Sequence, residues 1–264
     1  MSLRMSGKNL AEWGYVRPAE FDGPDRFNDI ARLLGHAVIE YATFNSEFCS
    51  NYRNPDFPFG WGELQNQGIL FHSCHHALRK GNYQELIIPE YAYTLNKYQF
   101  RNRKPPERHR VDLWISLRRG DEKKEVVLLL EYKHIWVDEH VMAIGHDSWK
   151  DDWQKLGDAT KRQYRRYFTT DEMSKSDMVK MLFMTLVIYH ESEEEENIEP
   201  LDKRNFASHM GDIRLNPEQN WIAYWWLPDS RQRVPSVWMD DQGSYHYTYY
   251  RGLYFLARLE SVSK

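Results

Sequence analysis

Four charged residues stand where charge needs a reason. Glu131 and Lys133 close the most apolar run of the chain, Val126 to Leu130, with Tyr132 between them. Charged side chains are rarely kept in such surroundings unless paired or used. Asp112 interrupts a second strand-like segment, Arg110 to Leu117, whose Val111, Leu113, Ile115 and Leu117 alternate onto one face. Asp112 stands on the other face with Trp114 and Ser116. Glu63 opens a helical segment upstream. Hard carboxylate oxygens of this kind suit Mg²⁺ or Mn²⁺, which keeps waters and takes a phosphate oxygen as a further ligand. A lysine beside them can stabilise charge developing in phosphodiester hydrolysis.

The elements that must position these residues follow from periodicity. Period-two geometry places Glu131 and Lys133 on one strand face and Tyr132 on the other. Arg119-Gly120-Asp121 reads as a turn, so the two strands form a hairpin. With the turn centred on Gly120-Asp121, Asp112 faces Leu129 and Glu131 is its same-face diagonal neighbour. Diagonal neighbours lie about 7–8 Å apart, near enough to share a cation. Helices are expected over Asp25 to about Phe48 and over Glu63 to Lys80, where Leu64, Ile69, Leu70, Cys74 and Leu78 make an apolar stripe. Gly81-Asn82 is a stop signal. Glu85 to Thr94 reads as a strand, with Pro89 arguing for an edge. Ser148 to about Phe168 reads as a helix and Val179 to Tyr189 as a core strand. Trp221 to Leu227, Ser236 to Met239 and Tyr245 to Leu259 read as aromatic-rich strands.

In this order the segments resemble the PD-(D/E)XK, or restriction-endonuclease-like, nuclease superfamily. Arg110-Val111-Asp112 and Glu131-Tyr132-Lys133 look like its core hairpin, although Arg110-Val111 stands in place of the motif's proline. Glu63-Leu64-Gln65, followed by Leu86 to Tyr91, resembles its first helix and first core strand. Trp153 to Leu156 and Gln163 to Tyr167 resemble the helix after the catalytic strand. The resemblance implies an α/β fold with a restriction-endonuclease-like mixed β-sheet core flanked by helices. It implies a core over residues 62–190, an N-terminal helical extension over 1–61, and a C-terminal β-rich addition over 191–264 packed on that core. It also implies a hydrolase cleaving nucleic acid, DNA above all. Glu63, Asp112, Glu131 and the Tyr132 backbone carbonyl would hold Mg²⁺ or Mn²⁺, and Lys133 would assist. Arg110, His134 and Gln163 are candidate substrate contacts, and a homodimer is a further expectation of the resemblance.

Plainer readings compete residue by residue. Asp112 could be a surface aspartate, and Lys133 a snorkelling side chain paired with Glu131. Glu63 is favoured in a first helical turn by the dipole alone, and Glu90 is a rival third carboxylate. His72, Cys74, His75 and His76 invite zinc, but no second cluster completes a four-ligand set. The alternative for the whole chain is a non-catalytic nucleic-acid-binding or assembly protein retaining this fold.

The remaining composition narrows little. The net charge is −4, so a nucleic-acid surface must come from local stripes: Arg101 to Lys104, Arg108 to Arg110, and Lys161 to Arg166. The acidic run Glu191 to Glu196 reads as a solvated loop. Two cysteines are too few for a disulfide framework. No apolar run approaches the roughly 20 residues that cross a bilayer, and Met1 to Lys8 lacks a signal-peptide core. The expectation is a cytoplasmic protein without a membrane partner.

Overall fold

The computed structural model describes residues 13–15, 25–52, 62–80, 83–94, 108–119, 125–139, 153–154, 156–157, 177–195, 220–227 and 236–261. Among the described residues, the elements are two long helices, α1 (Asp25–Tyr52) and α2 (Glu63–Lys80), and eight strands. The strands are β1 (Trp13–Tyr15), β2 (Tyr83–Thr94), β3 (Arg108–Arg119), β4 (Val126–Asp138), β5 (Asp177–Ser192), β6 (Asn220–Trp226), β7 (Ser236–Met239) and β8 (Tyr245–Ser261). They form one mixed sheet in the order β1-β6-β8-β5-β4-β3-β2, with β7 also on β8. Among the described strands, only β4 and β5 pair in parallel. The chain is therefore a mixed α/β protein. None of its described helices is long and apolar enough to cross a membrane.

Burial on both faces explains the central strands. Leu128, Leu130, Met181, Phe183 and Phe255 join one core cluster with Ile30, Leu34, Leu70 and Leu78 of the two helices. Leu129, Leu182, Met184 and Leu256 join the opposite cluster, together with Trp153 and Leu156. Strands covered on both sides read as continuous apolar runs, as Val126 to Leu130 does. Trp153, Gln154, Leu156 and Gly157 are helical, as expected; the remainder of the anticipated Ser148–Phe168 helix, including Gln163, lies outside the described residues. Pro89 sits in β2 at the margin of the sheet, where a missing N–H is tolerated.

Five expectations need correction. The hairpin register pairs Trp114 with Leu129 and Leu113 with Leu130, so Asp112 does not face Leu129. Asp112 instead meets the backbone of Tyr132, from whose N–H its Oδ2 accepts at 2.7 Å. Glu131 and Lys133 do not end their strand, because β4 stays in register with β5 as far as Asp138. Val111 packs in the cluster opposite to that of Leu113, so the side-chain alternation of β3 breaks at Asp112. Leu64, placed on the apolar stripe, is 68% exposed, and the first-turn residue that is buried is Asn66 instead. The C-terminal strands, read as an addition packed on the core, belong to the same sheet: β8 lies directly beside β5.

Candidate functional site

The site forms where β3 and β4 part company. Their described ladder runs from Leu117↔Val126 to Leu113↔Leu130 and stops, while β4 continues beside β5. The β3-facing edge of β4 then carries backbone N–H groups that need acceptors. Successive N–H groups of a strand point to opposite edges, so those of Tyr132 and His134 face the same gap. Two carboxylates take the place of the missing ladder. Asp112 Oδ2 accepts from Tyr132 N at 2.7 Å, and Glu63 Oε2 accepts from His134 N at 3.3 Å. The C=O of Tyr132 shares its edge with its N–H, which aims this carbonyl at the same gap.

Lys133 occupies the centre. Its Nζ lies 3.8 Å from Glu63 Oε1 and 3.7 Å from Glu131 Oε1. Both Lys133 and Glu131 are about four-fifths buried, whereas Glu63 is half exposed. Glu63, Asp112, Glu131 and Lys133 are thus brought together from α2, β3 and β4. Burial pushes the Asp112 carboxyl above its ordinary value, and the Glu63 charge adds to that. The Tyr132 N–H, the Lys133 ammonium and the Gln67 side chain pull the other way without overcoming it. An ionised Asp112 is therefore held at a cost that a cation would relieve.

Gln67 was missed from sequence. It stands one helical turn after Glu63, near enough to Asp112 to favour its charge, though its Nε2 is buried without a hydrogen bond among the described residues. The i, i+4 spacing from Glu63 was the available signal.

A buried polar cluster fixes the first turn of α2 under β4. Asn66 Nδ2 donates to Gly62 O at 3.1 Å, and the Tyr41 hydroxyl donates to Asn66 Oδ1. The Tyr132 hydroxyl donates to Thr185 Oγ1 at 3.1 Å and lies 3.3 Å from His134 Nδ1. Each such bond contributes about 0.5–1.5 kcal/mol, and leaving its partner unsatisfied costs more. Together they connect α1, α2, β4 and β5 directly beneath Glu63 and Lys133.

Of the remaining candidates, His134 meets the site through its backbone N–H. Arg110 lies in β3 and Glu90 in β2, but both side chains fall outside the described set, as does all of Gln163. The zinc reading finds no support. Cys74 is buried in the core, and His76 Nδ1 is 3.1 Å from Glu40. Among the described residues, no three His, Cys, Asp or Glu groups converge closely enough to hold a metal as they stand. Lys133 sits between Glu63 and Glu131, 3.8 and 3.7 Å from their carboxylates. The donors fit a hard divalent cation in type and charge, provided Lys133 swings aside.

No family model matches the chain, and neither does any curated protein or solved structure.

Proposed function

We propose that the chain is a metal-dependent nuclease that hydrolyses phosphodiester bonds of DNA. The observation that carries this reading is the gap between β3 and β4. There Asp112 and Glu63 turn to the part of the β4 edge beyond the described β3 ladder, while Lys133 lies between Glu63 and Glu131. Three carboxylates and one ammonium leave a net charge of two negatives when all are ionised, which suits one divalent ion. Bound there by Glu63, Asp112, Glu131 and the Tyr132 carbonyl, Mg²⁺ or Mn²⁺ would polarise the phosphate and acidify a water.

The chain's own residues supply the rest. Asp112 and Glu63 anchor through β4 N–H groups, so their positions follow the strand. Lys133, released from its carboxylates, presents an ammonium to the phosphate oxygens or the attacking water, where charge builds in the transition state. The buried Tyr132 and Asn66 contacts keep α2 and β4 in fixed relation, which lowers the reorganisation needed at reaction.

Incubation with DNA and RNA in Mg²⁺ or Mn²⁺, beside Asp112→Ala and Lys133→Ala, tests the proposal. Metal-dependent DNA cleavage lost in both variants supports it. Cleavage retained in both refutes the site. The pairing of Lys133 with two carboxylates equally suits a protein that binds nucleic acid without cutting it. That second reading predicts binding with no turnover in either metal.

A further inference from the structure

The side chain of Gln67 ends in a buried donor, Nε2, that makes no hydrogen bond among the described residues. An amide N–H left in that state carries a desolvation penalty, whereas an apolar side chain of the same shape would carry none. Its neighbours on α2 are settled. Asn66 donates to Gly62 O at 3.1 Å and accepts from the Tyr41 hydroxyl, while Ile69 and Leu70 are buried among apolar groups. Gln67 therefore stands out as a polar group that the fold alone does not use.

Two matching spacings bring this amide to Asp112. Glu63 and Gln67 stand one turn apart on the same side of α2, about 6 Å along its axis. The N–H groups of Tyr132 and His134 stand two residues apart on β4, about 6.6 Å. Glu63 meets β4 at His134 N, and α2 then runs back over the sheet, where Leu70 and Leu78 join the cluster of Leu130 and Leu128. One turn after Glu63, Gln67 comes level with Tyr132, whose N–H donates to Asp112 Oδ2 at 2.7 Å. In keeping with that position, the Gln67 side chain favours the charged form of the Asp112 carboxyl.

A carboxylate held by one donor can still turn about its Cβ–Cγ bond. A second donor from another element fixes its plane. Tyr132 N is fixed by β4, and Gln67 is carried by α2, whose first turn is tied to α1 through Asn66 and Tyr41. Resting on the metal-dependent reading above, we infer that Gln67 is a positioning residue: its amide donates to Asp112 when a divalent cation is bound and so fixes the carboxylate oxygen offered to that cation. Partners of this kind, which hold a metal ligand without touching the metal, typically change metal affinity about 10- to 100-fold when removed.

Gln67→Met tests this, because methionine keeps the length and unbranched shape of the side chain and loses the amide. Isothermal titration of the protein with Mg²⁺, without DNA, gives Kd; thermal unfolding in EDTA gives the metal-free midpoint. The expected result is an Mg²⁺ Kd raised about 10- to 100-fold with a midpoint equal to or above that of wild type. Gln67→Ala should weaken Mg²⁺ binding alike, and Gln65→Ala, at an exposed position of the same helix, should change neither reading. Raising Mg²⁺ by the same factor should restore cleavage in Gln67→Met but not in Lys133→Ala. An Mg²⁺ Kd within twofold of wild type in Gln67→Met overturns the inference. So do metal-free midpoints several degrees below wild type in both Gln67 variants, since the residue then serves the fold. Cleavage that needs Asp112 and Lys133, with Mg²⁺ affinity unchanged in Gln67→Met, sinks the positioning role and leaves the nuclease standing. Weakened Mg²⁺ binding in a protein whose wild type cuts neither DNA nor RNA does the reverse, and no Mg²⁺ binding by wild type overturns both.

Discussion

Asp112→Asn separates the cost of the site from its use. The asparagine oxygen can still accept from Tyr132 N, but the charge that burial and Glu63 disfavour is gone. Without metal at neutral pH, the variant should be at least as stable as wild type. The sign follows from linkage. Asp112 binds its proton more tightly folded than unfolded, so wild-type stability falls as pH rises from the ordinary carboxylate range through the raised folded value. Acidifying across that window should bring the two proteins together. Metal reverses the ranking. At ten times its Kd, Mg²⁺ stabilises wild type by RT ln 11, about 1.4 kcal/mol, or about 3–6 °C for a chain of this size. Asp112→Asn should lose most of that shift. Thermal unfolding with and without Mg²⁺, from about pH 4 to 8, reads both effects. A metal-free variant several degrees less stable than wild type at pH 7, with its Mg²⁺ shift intact, would refute the reasoning.

Three further outcomes follow from the fold. A Cβ at Gly252, beside the bulge where β8 shifts register against β5, would meet Trp225 O at 2.4 Å and Trp226 Cε3 at 2.6 Å. Gly252→Ala should therefore cost about 2–4 kcal/mol by urea denaturation, and a loss below about 0.5 kcal/mol would contradict that packing. At the same bulge Arg251 forks onto Glu139, Nε to Oε2 at 2.7 Å and Nη2 to Oε1 at 3.0 Å, with both side chains almost fully buried. Arg251→Met removes the fork and leaves the buried Glu139 carboxylate facing His190 Nδ1 at 3.1 Å, and should cost about 3–5 kcal/mol in the same assay; an unchanged midpoint would mean the pair is not formed. Cys74 is buried, and its thiol is pushed up to about 12 by desolvation. Mass spectrometry after iodoacetamide at pH 8 should find Cys74 unmodified in the native protein and modified in denaturant; native labelling would show that its core opens.

Local signals were legible and remote ones were not. Helix α2 begins and ends where Glu63 and the Gly81-Asn82 stop place it. Strand β7 likewise spans the segment Ser236 to Met239 that its composition marked. The continuation of β4 past Lys133 was hidden because charge at Glu131 looks like a strand end. What sustains the strand is the parallel partner β5, some fifty residues away in sequence. Hairpin register was displaced by two residues because the turn centre was taken from Gly120-Asp121. A displacement of two preserves facing along the ladder, and Asp112, just past its end, reaches β4 at the Tyr132 N–H and feels the Lys133 charge. The parting of β3 from β4, which makes Asp112 and Glu63 into substitute ladder acceptors, depends on pairing that no local pattern encodes. The same is true of β8 beside β5, since strand order within a sheet is a long-range property.

The most direct test of the account is Lys133→Ala, followed by both Mg²⁺ binding and DNA cleavage. Removing the ammonium from between Glu63 and Glu131 should leave Mg²⁺ affinity equal or tighter, because a competitor for those oxygens is gone. Cleavage should nevertheless fall about 10²–10³-fold, the usual effect of deleting one transition-state charge donor. Retained binding with lost turnover would place Lys133 in the chemistry. Cleavage at the wild-type rate would contradict the central claim.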